Sequence, residues 1–277
     1  ISLVLLNLND PGVPFFKEIE VRKALMLGLN RQAIISQMFN GQAIVANSVI
    51  LPGTWAHNES IAEIGYDPQL AAETLKNAGY VIAGENNTTR AKEEVPLSFV
   101  LSYPDDDLHL GIAQLIANNW QALGVNVTLE GVPPDVFVAE KLEPRSYQAA
   151  LVDLNLSRTP DPDPYPFWDL GQAENGQNYS QWNNRLASDT IEQARVTTDL
   201  GERTRLYHNF QAIFAEELPA LPLYYPVYNY AVSEQILGVT MGPLFDTSDR
   251  LGTITTWYLT TSRNQKTTDT AETDTGN

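Results

Sequence analysis

The chain has 277 residues, 43% of them hydrophobic, which is ample for a buried core in one large domain or two smaller ones. With 34 acidic residues against 17 basic ones it carries a formal charge of -17, and so negative a surface repels a phosphate backbone, which excludes nucleic acid as a partner. It has no cysteine for a disulfide, thiol nucleophile or Cys-ligated zinc, and no apolar run near the roughly 18 residues of a membrane-spanning helix.

Leu3 to Leu8 reads as a buried strand with no polar lead-in, no basic flank and too little length for an export signal, a start expected of a chain cut from something longer. A helical spacing runs from Ile19 through Val21, Leu25 and Leu29, and "NRQAIISQMFNG" restarts it with Asn30 as cap and Gly41 as stop. The Pro/Gly loop "ILPGTWAHN" carries Trp55. In "YDPQLAAETLKNAGY", Asp67 caps a helix, Pro68 opens it and Gly79 ends it. Residues 84–94 read as an exposed polar loop. The alternation in "PLSFVLSY" predicts a strand, and Leu108, Ile112, Leu115, Ile116 and Leu123 predict a helical face closed by Gly124. "VNVTL" returns to alternation, so this stretch predicts a βαβ unit with parallel strands. A helix over 134–142 and a strand over 148–154 complete the expectation of an α/β sheet core. "RLASDTIEQARVTTDL" and "ERTRLYHNFQAIFAEEL" predict two helices, the second burying Leu206, Phe210, Ile213 and Phe214. "LPLYYPVYNYAV" is an aromatic strand region broken by proline, "ILGVTM" and "TITTWYL" are strand-like, and residues 260–277 read as a disordered tail.

Chemistry concentrates in "DLNLSRTPDPDPYPFW", 153–168, which follows the carboxyl end of a predicted strand, the place where ligands lie in open α/β sheets. His57, His109 and His208 are scattered, and the prolines around Asp161 and Asp163 stop that segment from wrapping an ion, so no metal or other cofactor is expected and the carboxylates are read as capping turns. G-x-S-x-G, G-x-G-x-x-G and G-x-x-x-x-G-K-[ST] are absent, and with acidic residues so plentiful no glycosidase pair stands out. Phe99, Trp120, Phe210 and Phe214 sit at core-facing spacings, whereas Trp55, Tyr165, Trp168, Tyr179 and Trp182 lie in Pro/Gly/Asn-rich loops and together favour a binding surface over ordinary packing.

"VRKALMLGLNRQAII", "YDPQLAAETLKNAGY", "PDPDPYPFW", "NYSQWNN" and "ERTRLYHNFQAIFAEELPALPLY", in that order from about residue 3 to 259, resemble the solute-binding proteins of ABC importers, the large peptide, nickel and oligosaccharide class known as family 5. The resemblance implies a periplasmic-binding-protein-like α/β fold (type II, cluster C) with a mixed sheet and flanking helices. It implies a hinge-crossing strand at 1–9, a second lobe at 10–221, and return strands at 222–259 that belong to a first lobe outside this chain. Residues 3–8 should then lie beside 222–232. In peptide-binding members the loop after the 148–154 strand carries a Trp and then an Asp that pairs with the ligand's ammonium group. Those places fall here on Asn155 and Arg158, and an arginine repels an ammonium but accepts a carboxylate, phosphate or sugar hydroxyl.

The implied function is capture of a small polar solute, peptide-like or other, by clamshell closure outside the cytoplasm, with delivery to ABC permease subunits and a lipid anchor in the full-length protein. Asn155, Arg158, Tyr179, Trp182 and Trp55 are the candidate ligand contacts, and Asp161 and Pro162 shape the loop. An extracellular glycosidase or metal-dependent hydrolase, and an adhesion module without a cleft, stand as alternatives.

Overall fold

The computed structural model of the protein describes residues 1–84, 87–156, 161–241 and 247–260, and the chain divides into two compact units, Ile1–Val227 and Tyr228–Asn277. The first unit is built on β1 (Ser2–Leu6), whose five residues are all buried. Leu3 and Leu5 enter one hydrophobic core, while Val4 and Leu6 enter the other. Such a run, apolar on both faces, belongs in the middle of a sheet covered on both sides.

Around β1 lie β2 (Ala43–Val45), β5 (Ser98–Pro104), β6 (Asn126–Val132), β7 (Ala149–Asp153) and β8 (Ala220–Pro226), in the order β2-β8-β1-β7-β5-β6. β5 runs parallel to β6 and to β7, which gives the expected βαβ unit through α4 (Asp107–Ala122). β1 is antiparallel to both its neighbours, and β2 is antiparallel to β8, so the sheet is mixed. β1 lies beside β8 as expected, in a register that pairs Ser2 with Tyr224 and Leu5 with Ala220. β8 spans the 221/222 division expected from the sequence.

One face of the sheet is covered by α1 (Ile19–Leu27), α2 (Arg31–Phe39), α3 (Pro68–Asn77) and α4, around Phe15, Phe16, Phe99 and Trp120. The other is covered by the single turn α5 (Tyr165–Trp168), α6 (Arg185–Val196) and α7 (Leu200–Glu217), around Trp168, Trp182, Phe210 and Phe214. Helix starts follow local chemistry: Asn30, Asp67, Asp106, Asn184 and Asp199 each accept a hydrogen bond from an amide three residues on. A cap of this kind contributes about 1 kcal/mol. Gly79 and Gly124 follow α3 and α4 at φ +94° and +82°, where any side chain would be strained.

The structure departs from expectation where the pattern is short. Leu108 is 38% exposed, because the buried face of α4 is made by Ile112, Ala113, Ile116 and Trp120. Trp120 sets that face by donating Nε1 to the Leu25 carbonyl at 2.9 Å. Residues 134–142 form only a turn and a five-residue π-helical stretch, Val138–Leu142. The polar 84–94 loop ends in a tight hairpin of β3 (Ala91–Lys92) and β4 (Val95–Pro96), with Glu93 and Glu94 at positive φ. In the second unit β9 (Ile236–Leu237) pairs with β10 (Tyr258–Leu259), and within "TITTWYL" Ile254–Thr256 form a 3-10 turn rather than strand. The sequence-predicted tail beyond residue 260 lies outside the described residues.

Two buried arginines join the layers. Arg22 donates to the carbonyls of Phe16 at 2.6 Å and Glu217 at 2.7 Å, tying α1 to the end of α7. Arg31 donates to the carbonyls of Ala46, Pro222 (3.2 Å) and Ile64 (2.8 Å), and burial pulls its pKa down to about 10 against the attraction of Glu63. Arg31→Met keeps most of the volume but strands those carbonyls in a dry interior, where an unpaired acceptor costs about 1–3 kcal/mol. The variant is expected to lose about 3 kcal/mol in urea titration, whereas Arg31→Lys should recover part of it.

Candidate functional site

Three parallel strands place the carboxyl ends of β5, β6 and β7 on one edge of the sheet. The antiparallel pairing of β1 brings Ser2 opposite Asp153 on one side and Tyr224 on the other, so the end of β8 shares that edge. The ladder continues one step past β7, with the Leu154 amide donating to the Ile1 carbonyl at 2.8 Å. Asn155 then faces solvent, and Arg158 lies outside the described residues.

Where the chain is described again, the aspartates are engaged by cations from behind. Arg203 of α7 donates Nη2 to Asp161 Oδ2 at 2.7 Å, and Arg195 of α6 pairs with Asp163 Oδ2 at 3.1 Å. Asp163 Oδ1 accepts from the Tyr165 amide at 3.1 Å and starts α5, with buried Pro164 between. Pro162 sits half-buried between the two anchored aspartates. Carboxylates neutralised in this way, in a segment whose φ angles proline fixes, make a stiff support.

Each arginine also lies on an aromatic face. The Arg195 guanidinium is 4.1 Å from the Tyr165 ring, and that of Arg203 is 5.0 Å from the Trp55 ring. Trp55 packs against Tyr207 with centroids 5.6 Å apart, and its loop is held by Gln211 of α7. Gln211 accepts from Ser48 Oγ and the Asn58 amide and donates to the Ala56 carbonyl. Trp55 and Asp161, far apart in sequence, therefore share one partner. Arg195 and Arg203 were not singled out from the sequence. The available signal was the Arg203/Tyr207 spacing of four on one helix face.

Most of the other loop aromatics point inward. Trp182 is 2% exposed, donates Nε1 to Glu217 Oε2 at 2.7 Å and packs on Phe210 and Phe214. Asn178 turns it inward, accepting from the Trp182 amide and donating to the Trp182 carbonyl. Tyr179 is 7% exposed, with the Arg145 guanidinium 5.1 Å from its ring and its carbonyl accepting from Tyr147 Oη. Trp168 is buried edge-on against Phe214. Of the candidates Tyr179, Trp182, Trp55, Asn155 and Asp161, the structure brings Trp55 and Asp161 together on Arg203.

At the same edge His109 lies between two carboxylates, Nδ1 2.7 Å from Asp106 Oδ2 and Nε2 3.2 Å from Asp153 Oδ2. It joins the first turn of α4 to the end of β7. Among the described residues, no three His, Asp, Glu or Cys side chains are grouped to hold a metal ion.

Residues 1–177 match the family described as bacterial extracellular solute-binding proteins, family 5 Middle. Di/tripeptide-binding protein 1 of Pseudomonas aeruginosa is 28% identical over 209 residues, 75% of this chain and 37% of that protein. Oligopeptide-binding protein OppA of Bacillus subtilis is 30% identical over 229 residues, 80% of this chain and 40% of that one. The chain thus spans about 40% of the length of these curated relatives. The oligopeptide-binding protein AppA of Bacillus subtilis, solved with a nonapeptide, superposes with a TM-score of 0.77 at 23% identity, over 94% of this chain and 50% of that one. No helix among the described residues is long and apolar enough to cross a membrane.

The His109 bridge has a defined pH signature. Its hydrogen bond to Asp153 raises its pKa above 6.5 against the effect of burial, with Asp106 adding to the rise. For Asp106 and Asp153 burial alone would raise the pKa, but the bonds to His109 outweigh it and hold both below 3.8. The stabilisation is therefore complete below pH 6.5, is lost as pH rises through the raised histidine value, and is also lost in acid as the carboxylates protonate. His109→Gln should cost on the order of 1 kcal/mol near pH 5 and progressively less in alkaline solution, read by urea melts of both proteins across pH.

Proposed function

The chain belongs to the bacterial extracellular solute-binding proteins of family 5, and on that premise we propose that it forms one jaw of a protein that captures a small polar solute outside the cytoplasm and passes it to the permease of an ABC importer. The observation that carries this reading is the proline-stiffened segment at the carboxyl edge of the sheet, braced from behind by Arg195 and Arg203. A support that is already rigid loses little entropy when a ligand settles on it. Closure of two lobes then excludes water, and the solute favours the closed form through contacts made only there.

Peptide-like solutes come first, because relatives along most of this chain are named as di/tripeptide- and oligopeptide-binding proteins. Arg158, standing where peptide-binding members place an ammonium-pairing aspartate, shifts the preference toward solutes that present a carboxylate, phosphate or hydroxyl at that point. Asn155 contributes a further polar contact, and Trp55 an aromatic wall. Tyr179 and Trp182 act from the core, by fixing the 178–184 segment. Catalysis is no part of this reading: Asp161 and Asp163, the acidic pair of the proline-rich segment, are each held by an arginine. In the cell the protein works outside the cytoplasm, in the periplasm or at the cell surface, with a lipid anchor in the full-length protein.

A thermal-shift panel of di- and tripeptides, sugars and Ni²⁺ on the longest form of the protein tests the assignment, since a ligand at a hundredfold its Kd stabilises the folded state by about 2.7 kcal/mol. One class is expected to raise Tm, while the 277-residue chain alone shows no micromolar binding by titration calorimetry because half a cleft leaves the solute in water. Micromolar binding by the isolated chain would refute the two-jaw reading, and hydrolysis of a panel compound would replace capture with catalysis.

A further inference from the structure

We propose that Arg203 is a positioning residue that couples the two flanks of the solute site, the Asp161 segment and the Trp55 loop, so that they respond as one body; this rests on the solute-binding reading above. Arg203 Nε donates to the Ala194 carbonyl at 2.9 Å, Nη2 donates to Asp161 Oδ2 at 2.7 Å and to Tyr207 Oη at 3.4 Å, and the cation lies 5.0 Å from the Trp55 ring. Four partners from four parts of the chain meet on one planar cation: the end of α6, the segment after β7, the loop before α3, and α7 itself.

A flat guanidinium can donate in its plane and receive an aromatic ring on its face at the same time, which an ammonium cannot. The geometry therefore sets Trp55 and Asp161 relative to each other through a shared intermediary. The second anchor of the Trp55 loop is independent but sits on the same helix, where buried Gln211 accepts from the Asn58 amide and donates to the Ala56 carbonyl. Both flanks are thus referred to α7, which runs straight into β8, the strand paired with β1. Moving one flank without the other requires breaking the in-plane bond to Asp161 or sliding the cation off the indole.

The coupling is testable without a known ligand. The chain has five tryptophans, so 5-fluorotryptophan labelling yields a small set of ¹⁹F resonances, and Trp55→Phe identifies one of them. Asp161→Asn, which is close in shape and spares the fold, is expected to shift the Trp55 resonance. In an Arg203→Met background the same substitution should leave it unmoved, and in Arg203→Lys it should produce only a partial shift. An unshifted Trp55 resonance in Asp161→Asn, or an equal shift in the Arg203→Met background, overturns the proposal.

A binding arm separates this idea from the functional assignment. Titration of trialanine into the longest form of the protein should show affinity weakened about tenfold by Arg203→Met and partly restored by Arg203→Lys. If the unaltered protein ignores trialanine, the peptide preference falls while the ¹⁹F result still decides the coupling. If it binds trialanine and Arg203→Met binds equally well, the coupling has no bearing on capture and the proposal fails.

Discussion

The structure depends on the insertion of one short apolar strand between two others that lie far away in the sequence. β1 pairs antiparallel with β7 on one side and β8 on the other, and its alternating side chains feed both cores. Without it the parallel βαβ half of the sheet and the β2-β8 edge have no common backbone, and each layer of helices faces half a sheet. The insertion also assembles the edge that carries the candidate site, because it sets Ser2 between Asp153 and Tyr224 and so brings the ends of β7 and β8 together. At full burial each of its four aliphatic side chains, Leu3 to Leu6, contributes roughly 1.5–3 kcal/mol, making this strand a dense source of hydrophobic stabilisation for its length.

Helix α7 performs the corresponding service for the polar groups. Its Gln211 is buried and fully occupied, Arg203 reaches the segment after β7, and Glu217 accepts from Trp182 Nε1 and Asn184 Nδ2. The Glu217 carbonyl takes a further bond from Arg22 of α1. One helix therefore fixes loops from three places along the chain. Buried side chains of this kind tolerate little displacement, since moving any one strands a partner without a hydrogen bond. The rigidity of the candidate site comes from this helix as much as from the prolines within the site itself.

What could be read from the sequence was what is local. Asn30, Asp67, Gly79 and Gly124 mark helix ends because capping and positive φ are decided within a few residues, and the βαβ unit was visible because its periods change from 2 to 3.6 and back. Leu108 went astray because Trp120, by bonding to Leu25, rotates the buried face of α4, and that contact is tertiary. The loop aromatics were misleading for the same reason: Trp168 and Trp182 occupy irregular segments, yet Phe210 and Phe214 offer them a wall that only folding brings near. Asp161 stands out in the sequence through its proline neighbours. Its partner Arg203 lies forty-two positions later, and its spacing from Tyr207 on one helix face does not say which loop carboxylate it reaches.

The position of β1 carries a consequence for how the chain reaches its native state. Its partners on one side are residues 149–153 and on the other 220–224, so nearly the whole first unit must be available before both of its edges are satisfied. Contacts of such long sequence separation slow folding, because loop-closure entropy must be met before the contacts that reward it. Until β8 arrives, an emerging chain shows a sticky edge to its surroundings, the kind of exposure that recruits holdase chaperones. The segment that completes the sheet therefore comes late in the first unit, and topology alone delays its compaction.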